Sequence, residues 1–317
     1  MTRVAALDCG TNSLRLLIAE RDDVSGVVRD VERRMEIVRL GQGVDRRGRF
    51  DPEALARTLA VSAEYAERCR AENVSAIRFV ATSATRDAAD RDDFFDGVRQ
   101  RLDVEPEVIS GAEEARLSFI GACQGLPALG ATDAPLLVVD IGGGSTEFVL
   151  GTLAGGISAS ISTEVGCVRL TERYGPDAPG VAGFAGDVQA AIDRAAAQVP
   201  WSSAAAVVGL AGSVTTVTAH ALRLDRYDPE RIHAARLPIA GLRAAAAELV
   251  AMDVEQRSAL PFMHPGRVDV IGSGAAIWSR ILARVGADAG LDVAWTSERD
   301  ILDGIVHGLL ADREGSA

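Results

Sequence analysis

Val139-Asp140-Ile141-Gly142-Gly143-Gly144-Ser145-Thr146-Glu147 follows the apolar run 136–139, and Leu7-Asp8-Cys9-Gly10-Thr11-Asn12-Ser13 follows the apolar run 4–7. Each run reads as a buried strand ending near an aspartate. Each then turns through small and hydroxyl-bearing residues into a second apolar run. One Asp-x-Gly turn between strands is most often only a hairpin. Three consecutive glycines cost more backbone entropy than a hairpin requires. A turn without Cβ atoms lets backbone N–H groups approach phosphate oxygens, and an adjoining aspartate can hold a hydrated Mg²⁺. Two such turns predict two half-sites for one phosphate-rich ligand.

Outward from these turns the pattern is α/β. Strands are predicted over 4–7, 14–19 and 27–35. A helix follows with Asp51 as N-cap and Pro52 at its first position. Next come a strand at 77–81, a helix over 87–102, a short strand at 108–109 and the helix Gly111–Gln124. Residues 125–134 read as a linker, rich in glycine, proline and alanine. The order then restarts with strands at 136–141, 146–150 and 157–164, helices at Cys167–Tyr174 and 187–198, a strand at 205–210 and a helix at 213–222. A strand at 292–296 and a helix over 299–310 close the chain. This predicts two layered domains of one architecture, residues 1–125 and 126–317, with the last helix (about 299–312) a candidate to pack back on the first. The ligand is expected between the two copies, at the turn ends of their strands.

Composition narrows the function. The chain has 317 residues, 48% of them hydrophobic and 4% aromatic, so its cores must rest on Ala, Val, Leu and Ile. No apolar run approaches the ~18 residues of a membrane span, and no leader segment is expected. Cys9, Cys69, Cys123 and Cys167 form no paired spacing, so zinc is not expected and reduced cytosolic thiols are the default. None of His220, His233, His264 and His307 shows ligand spacing. The formal net charge of −12 argues against non-specific nucleic-acid binding. All 33 basic side chains are arginine. That excludes a Walker A lysine and Schiff-base chemistry and leaves arginine, suited to bidentate oxyanion contacts, as the cationic clamp.

In EVISGAEEARLSFIGA, Ser110 and Glu113 form a predicted capping box at the start of a helix. Glu113 thus has a structural task. Glu114, in the same first turn, has none and could orient or deprotonate an attacking water. Together with ALDCGTNSLRLLIAE, FVATSATRDA, VVDIGGGSTEFVLG, GCVRLTERY, GLAGSVTTVTA, RVDVIGSGAAI and SERDILDGIVHGL, this stretch resembles the exopolyphosphatase/guanosine pentaphosphate phosphatase (Ppx/GppA) family in its short two-domain form. The resemblance covers nearly the whole chain. It implies two ribonuclease-H-like domains of the actin, hexokinase and heat-shock ATPase superfamily with an interdomain active-site cleft.

The resemblance also implies roles. Glu114 corresponds to the catalytic glutamate and Arg86 to a phosphate-contacting arginine in a hydroxyl-rich loop. Asp8 and Asp140 are the metal-side aspartates, with Glu147 a further carboxylate acting on metal or water. Thr11, Asn12, Ser13, Gly143, Gly144, Ser145 and Thr146 supply phosphate donors. Arg267 and Glu298 lie in family-like blocks. Leu210 and Ala211 replace the more polar or glycine-rich version of a turn that lies near the adenosine in nucleotide-using relatives, which weakens the case for a nucleoside pocket. The implied activity is release of terminal orthophosphate from inorganic polyphosphate with Mg²⁺ or Mn²⁺, and guanosine pentaphosphate, as pppGpp to ppGpp, is the related substrate. A cytoplasmic homodimer is implied, with no nucleic-acid or membrane partner. An ATP-dependent kinase of the same superfamily and a non-catalytic (p)ppGpp- or phosphate-binding regulator remain as alternatives.

Overall fold

A computed structural model describes residues 1–124, 126, 134–175 and 178–314. The chain forms two compact units, Met1–Leu117 with the segment from Ile301 onward, and Ser118–Asp300. The division falls between Leu117 and Ser118, inside a helix. Most of the expected linker at 125–134 lies outside the described residues.

In the first unit β1 (Thr2–Cys9), β2 (Ser13–Arg21) and β3 (Val28–Ile37) form an antiparallel meander. The helices α1 (Val44–Arg47) and α2 (Pro52–Ala71) lead to β4 (Ala76–Ala81), then α3 (Ser83–Asp87), α4 (Arg91–Leu102), β5 (Glu107–Val108) and α5 (Gly111–Gln124). The sheet order is β3-β2-β1-β4-β5, with β4 parallel to β1 and β5 parallel to β4. Strand alternation sorts the two faces. Ala5, Leu7, Cys9, Leu14, Leu16 and Ile18 pack with Tyr65, Cys69, Phe94 and Val98 of α2 and α4. Val4, Ala6, Leu17 and Ala19 pack with Leu117 and with Ile305 and Val306 of the chain's last helix, Ile301–Glu314. Asp8 and Arg15 belong to this second face.

Asp51 caps α2 as the sequence predicts, accepting the N–H groups of Glu53 (3.0 Å) and Ala54 (3.2 Å). The helix predicted over 87–102 is α4 with a later start, at Arg91; Asp87 instead ends α3, and Ala88 after it is extended. The Asp90 carboxylate accepts the Phe50 N–H at 3.1 Å, tying the start of α4 to the segment before α2. Arg86 therefore stands in the last turn of a short helix rather than in a loop.

The second unit repeats the plan. It contains β6 (Leu136–Ile141), β7 (Thr146–Thr152), β8 (Gly156–Thr163), α6 (Cys167–Tyr174), α7 (Ala182–Gln198), β9 (Ala206–Leu210) and α8 (Ala211–Ala221). After these come α9 (Pro229–Ile232), β10 (Arg236–Pro238), α10 (Ile239–Ala251), α11 (Val254–Ser258), α12 (Ile271–Ala289) and β11 (Val293–Thr296). The order β10-β11-β9-β6-β7-β8 contains β8-β7-β6-β9-β11, strand for strand the arrangement of the first sheet. Both are α/β sheets of ribonuclease-H-like order. The sequence pattern leaves 223–291 without elements, yet α10 and α12 are there. Every residue of α12 from Ile271 to Trp278 is buried, so no polar face marks its period. Among the described residues no helix is long and apolar enough to cross a membrane. All four cysteines are buried and unpaired with one another, and burial pushes their thiols up, Cys69 to about 11 and Cys123 to about 12.

Candidate functional site

The two glycine turns are built alike. Gly10 donates its N–H to the Ser13 carbonyl, and Gly142 donates to the Ser145 carbonyl, both at 3.0 Å. Their carbonyls are anchored by neighbouring chain. Thr11 O accepts from Gly41 (2.9 Å), and Asn12 O from Val38 (3.1 Å) and Arg39 (2.9 Å). In the second turn Gly142 O accepts from Cys167 (3.1 Å), and Gly143 O from Val168 (2.9 Å) and Arg169 (3.0 Å). Arg169 Nε donates to Gly144 O at 2.8 Å. Among the described residues no acceptor meets the N–H groups of Thr11, Asn12, Gly143, Gly144 or Ser145. Solvent or a ligand must satisfy them.

The turns exist because other residues give way to them. A Cβ on Gly41 would lie 2.2 Å from Thr11 Cγ2, and one on Gly166 would lie 2.3 Å from the Gly143 carbonyl oxygen. Gly142, Gly143 and Gly144 themselves do not adopt left-handed backbone. The need for glycine is thus sharpest at partners the sequence does not flag.

In the first unit Asp8 is 2% exposed. Its Oδ2 accepts from Arg15 Nε at 3.0 Å and Nη2 at 2.6 Å. Thr11 Oγ1 lies 2.9 Å from Ser83 Oγ, and Ser13 opens β2. Arg86 Nη1 donates to Glu114 Oε2 and to the Ile109 carbonyl, each at 2.9 Å. The carboxylate and the guanidinium that the sequence places in catalysis therefore meet directly. Ser110 Oγ accepts the Glu113 N–H at 3.2 Å. The Glu113 carboxylate takes Arg116 at 2.7 and 2.8 Å, and that pairing holds it below its ordinary pKa.

In the second unit Asp140 and Glu147 are direct cross-strand partners on β6 and β7, 8% and 1% exposed. Ser118 Oγ donates to Asp140 Oδ2 at 2.8 Å, and Ser162 Oγ to Glu147 Oε1 at 2.7 Å. Two buried carboxylates on opposed residues repel unless a cation or a proton intervenes. Their hard oxygens suit Mg²⁺ or Mn²⁺, although among the described residues no three acidic, His or Cys side chains converge as a ready-made cage. The Thr146 hydroxyl donates to the Val165 carbonyl at 2.6 Å and so braces the turn. Arg267 lies over Gly212, where a Cβ would be 2.5 Å from its Cζ. The Tyr227 hydroxyl donates to Glu298 Oε1 at 2.6 Å and lies 2.8 Å from Thr215 Oγ1. Ala211 holds a left-handed backbone, φ 68°, where glycine would be unstrained.

Arg15, Ser118 and Ser162 escape the sequence reading. Hairpin register was the available signal for Arg15: a turn closed between Gly10 and Ser13 places Asp8 opposite Arg15. Nothing local in the sequence links Ser118 or Ser162 to its carboxylate.

Each of the two α/β sheets carries a turn whose open amides suit phosphate oxygens, together with acidic residues. The Ppx/GppA phosphatase family profile matches residues 17–308, and the chain belongs to that family. Exopolyphosphatase 2 of Mycobacterium tuberculosis is 46% identical over 98% of this chain and 99% of its own length. The crystal structure of an exopolyphosphatase-like protein, 40% identical, aligns with a TM-score of 0.90 over 96% of this chain and 98% of its own. The Aquifex aeolicus family member, 26% identical, aligns with a TM-score of 0.79 over 98% of each chain.

Proposed function

We propose that the chain is an exopolyphosphatase that releases orthophosphate from the end of inorganic polyphosphate by attack of water. The observation that carries this reading is the matched pair of turns whose amides meet no acceptor among the described residues. Such amides offer fixed donors to the equatorial oxygens of a phosphoryl group, where charge accumulates in transfer. The name of the 46%-identical relative supports the substrate class. Guanosine pentaphosphate, which ends in the same anhydride, is the related substrate.

In this reading Glu114 orients the water and takes its proton. Arg86 fixes that carboxylate and reaches toward phosphate oxygen, a role its planar guanidinium suits. Asp140 and Glu147 hold the divalent cation, Mg²⁺ or Mn²⁺. When bound, the cation neutralises phosphate charge and polarises the transferred group. Ser118 and Ser162 orient the two carboxylates. The same reading places the enzyme in the cytoplasm as a homodimer, for which light scattering on the purified protein is the check.

The deciding experiment measures orthophosphate from polyphosphate, guanosine pentaphosphate, and ATP with and without sugars, in Mg²⁺ and in excess chelator. Release from polyphosphate that stops with chelator is expected. Transfer of phosphate to a sugar would show a kinase instead, and binding without release would show a regulator.

A further inference from the structure

A strand at the edge of a sheet offers a row of open backbone groups, and folded chains blunt such edges with charge, proline or short length. The two sheets end in β3, β5, β10 and β8. β3 carries Arg29, Asp30, Glu32, Arg33, Arg34 and Glu36. β5 has two residues, and β10 has three, ending in Pro238. β8 has eight residues, and no residue between Glu147 and Glu164 is charged. Its one irregularity is a bulge opposite Leu150 and Gly151, which leaves 159–163 in regular register. The ladder fixes which groups of β8 face outward. Gly142 donates to the Ser145 carbonyl, and bonded and non-bonded pairs alternate along an antiparallel ladder. Asp140 and Glu147 are therefore a bonded pair, and Thr146, Phe148 and Leu150 turn their backbone groups toward β8. Their partners Thr163, Ile161 and Ala159 face inward, and Ser160 and Ser162 face outward. Among the described residues no loop or further strand bonds the backbone of Ser160 or Ser162.

We propose that the outward edge of β8 pairs antiparallel with β8 of a second copy of this chain, about a two-fold axis at Ile161. That register sets Ser160 of each copy opposite Ser162 of the other, so both outward residues exchange backbone N–H and C=O groups. The charge balance selects the occupant. Each copy carries −12, and copies of like charge repel. They approach at least cost where no charge meets its like, and β8 laid against itself meets that condition. The other three edges are charged, short or closed by proline, so the pairing is isologous and stops at two copies. The paired segment includes Ser162, whose hydroxyl donates to Glu147, so the second copy braces the strand that orients this carboxylate. The inference rests on the homodimer reading for the number of copies and adds the surface.

The test is sedimentation velocity on the full chain across protein concentration, for the wild type and for Ser160→Pro. Proline there removes an outward N–H and takes no bond from β7, a position at which edge strands accept it. The wild type should sediment as a dimer. Ser160→Pro should keep its circular dichroism and dimerise more weakly by about tenfold or more, since each of the two symmetric junctions loses a bond. A folded Ser160→Pro protein that dimerises like the wild type overturns the surface and leaves the homodimer reading standing. A wild type that stays monomeric overturns both. Should Ser160→Pro not fold, amide exchange on the wild type decides. Protection at Ser160 and Ser162 should rise with protein concentration, whereas Ile161, bonded within the sheet, is protected throughout. Exchange at Ser160 and Ser162 that ignores concentration overturns the pairing.

Discussion

Glu114 and Arg86, the pair proposed to carry the chemistry, meet at 2.9 Å. Glu114→Gln keeps the shape of the carboxyl and removes its capacity to accept a proton. We expect turnover to fall by roughly two to four decades, the scale of a lost general base, with an unchanged thermal transition; wild-type turnover would remove Glu114 from the mechanism. Arg86 holds Glu114 and the Ile109 carbonyl through one nitrogen. With the rest of the guanidinium proposed to reach phosphate oxygen, Arg86→Lys should recover only part of the kcat/KM lost in Arg86→Ala, because a point charge cannot reproduce the planar fork. Full recovery in steady-state assays would reduce the contact to simple charge. At this scale the sequence singled out candidate residues but not their partners. Glu114 was legible because Glu113 already had a task. The different cross-strand partners of Asp8 and Asp140 were not, since each precedes a glycine turn in the same way. What separates them lies seven residues on, at Arg15 and Glu147, and only strand register brings it alongside.

Elements were legible where an apolar run between turns, or a capping residue, marked them. The meanders β1-β2-β3 and β6-β7-β8, the capped start of α2, and α5 and α6 follow local pattern or capping chemistry. The pattern failed for α12, whose buried first half erases the period, and for the short α3, read as a loop; α4 is found but starts at Arg91, just after Asp90, whose carboxylate accepts the Phe50 N–H. The anchoring of the second turn by α6 is equally non-local. Gly166 precedes that helix at φ −144°, a conformation open to any residue, so only space demands glycine. Gly166→Ala should push the Gly143 carbonyl off the Val168 and Arg169 amides. We expect a loss of about 1–3 kcal/mol, the range for overpacking, and a fall in kcat larger than unfolding explains. Denaturant titration beside kinetics separates the two. A stable and fully active alanine variant would show that the turn does not depend on that seat.

At the scale of the whole molecule, arginine–carboxylate pairing dominates the charge map. Hydrogen bonds from Arg29 to Glu20, Arg116 to Glu113, Arg284 to Asp193 and Arg223 to Glu248 each hold the carboxyl below its ordinary value. Asp288 is lowered first by the Trp201 indole and then by Arg284. A depressed folded-state pKa contributes stability that is fully present above the unfolded value, near 4, and is lost as pH falls through the lower folded value. Melting temperature should therefore hold from neutrality to about pH 5 and drop below about pH 4. A melting temperature that rises on acidification through that window would contradict the sign.

The buried thiols turn the two-unit architecture into something that can be timed. Cys9 and Cys69 lie in the first unit, Cys123 and Cys167 in the second. A thiol reagent should find the native protein silent, because each sulfur is both enclosed and held protonated. Labelling must then wait for opening, and the order in which the four peptides gain mass records which unit opens first. If both pairs label at one rate, the molecule unfolds as a single cooperative body; two rates would give each half its own clock, read without any engineered probe.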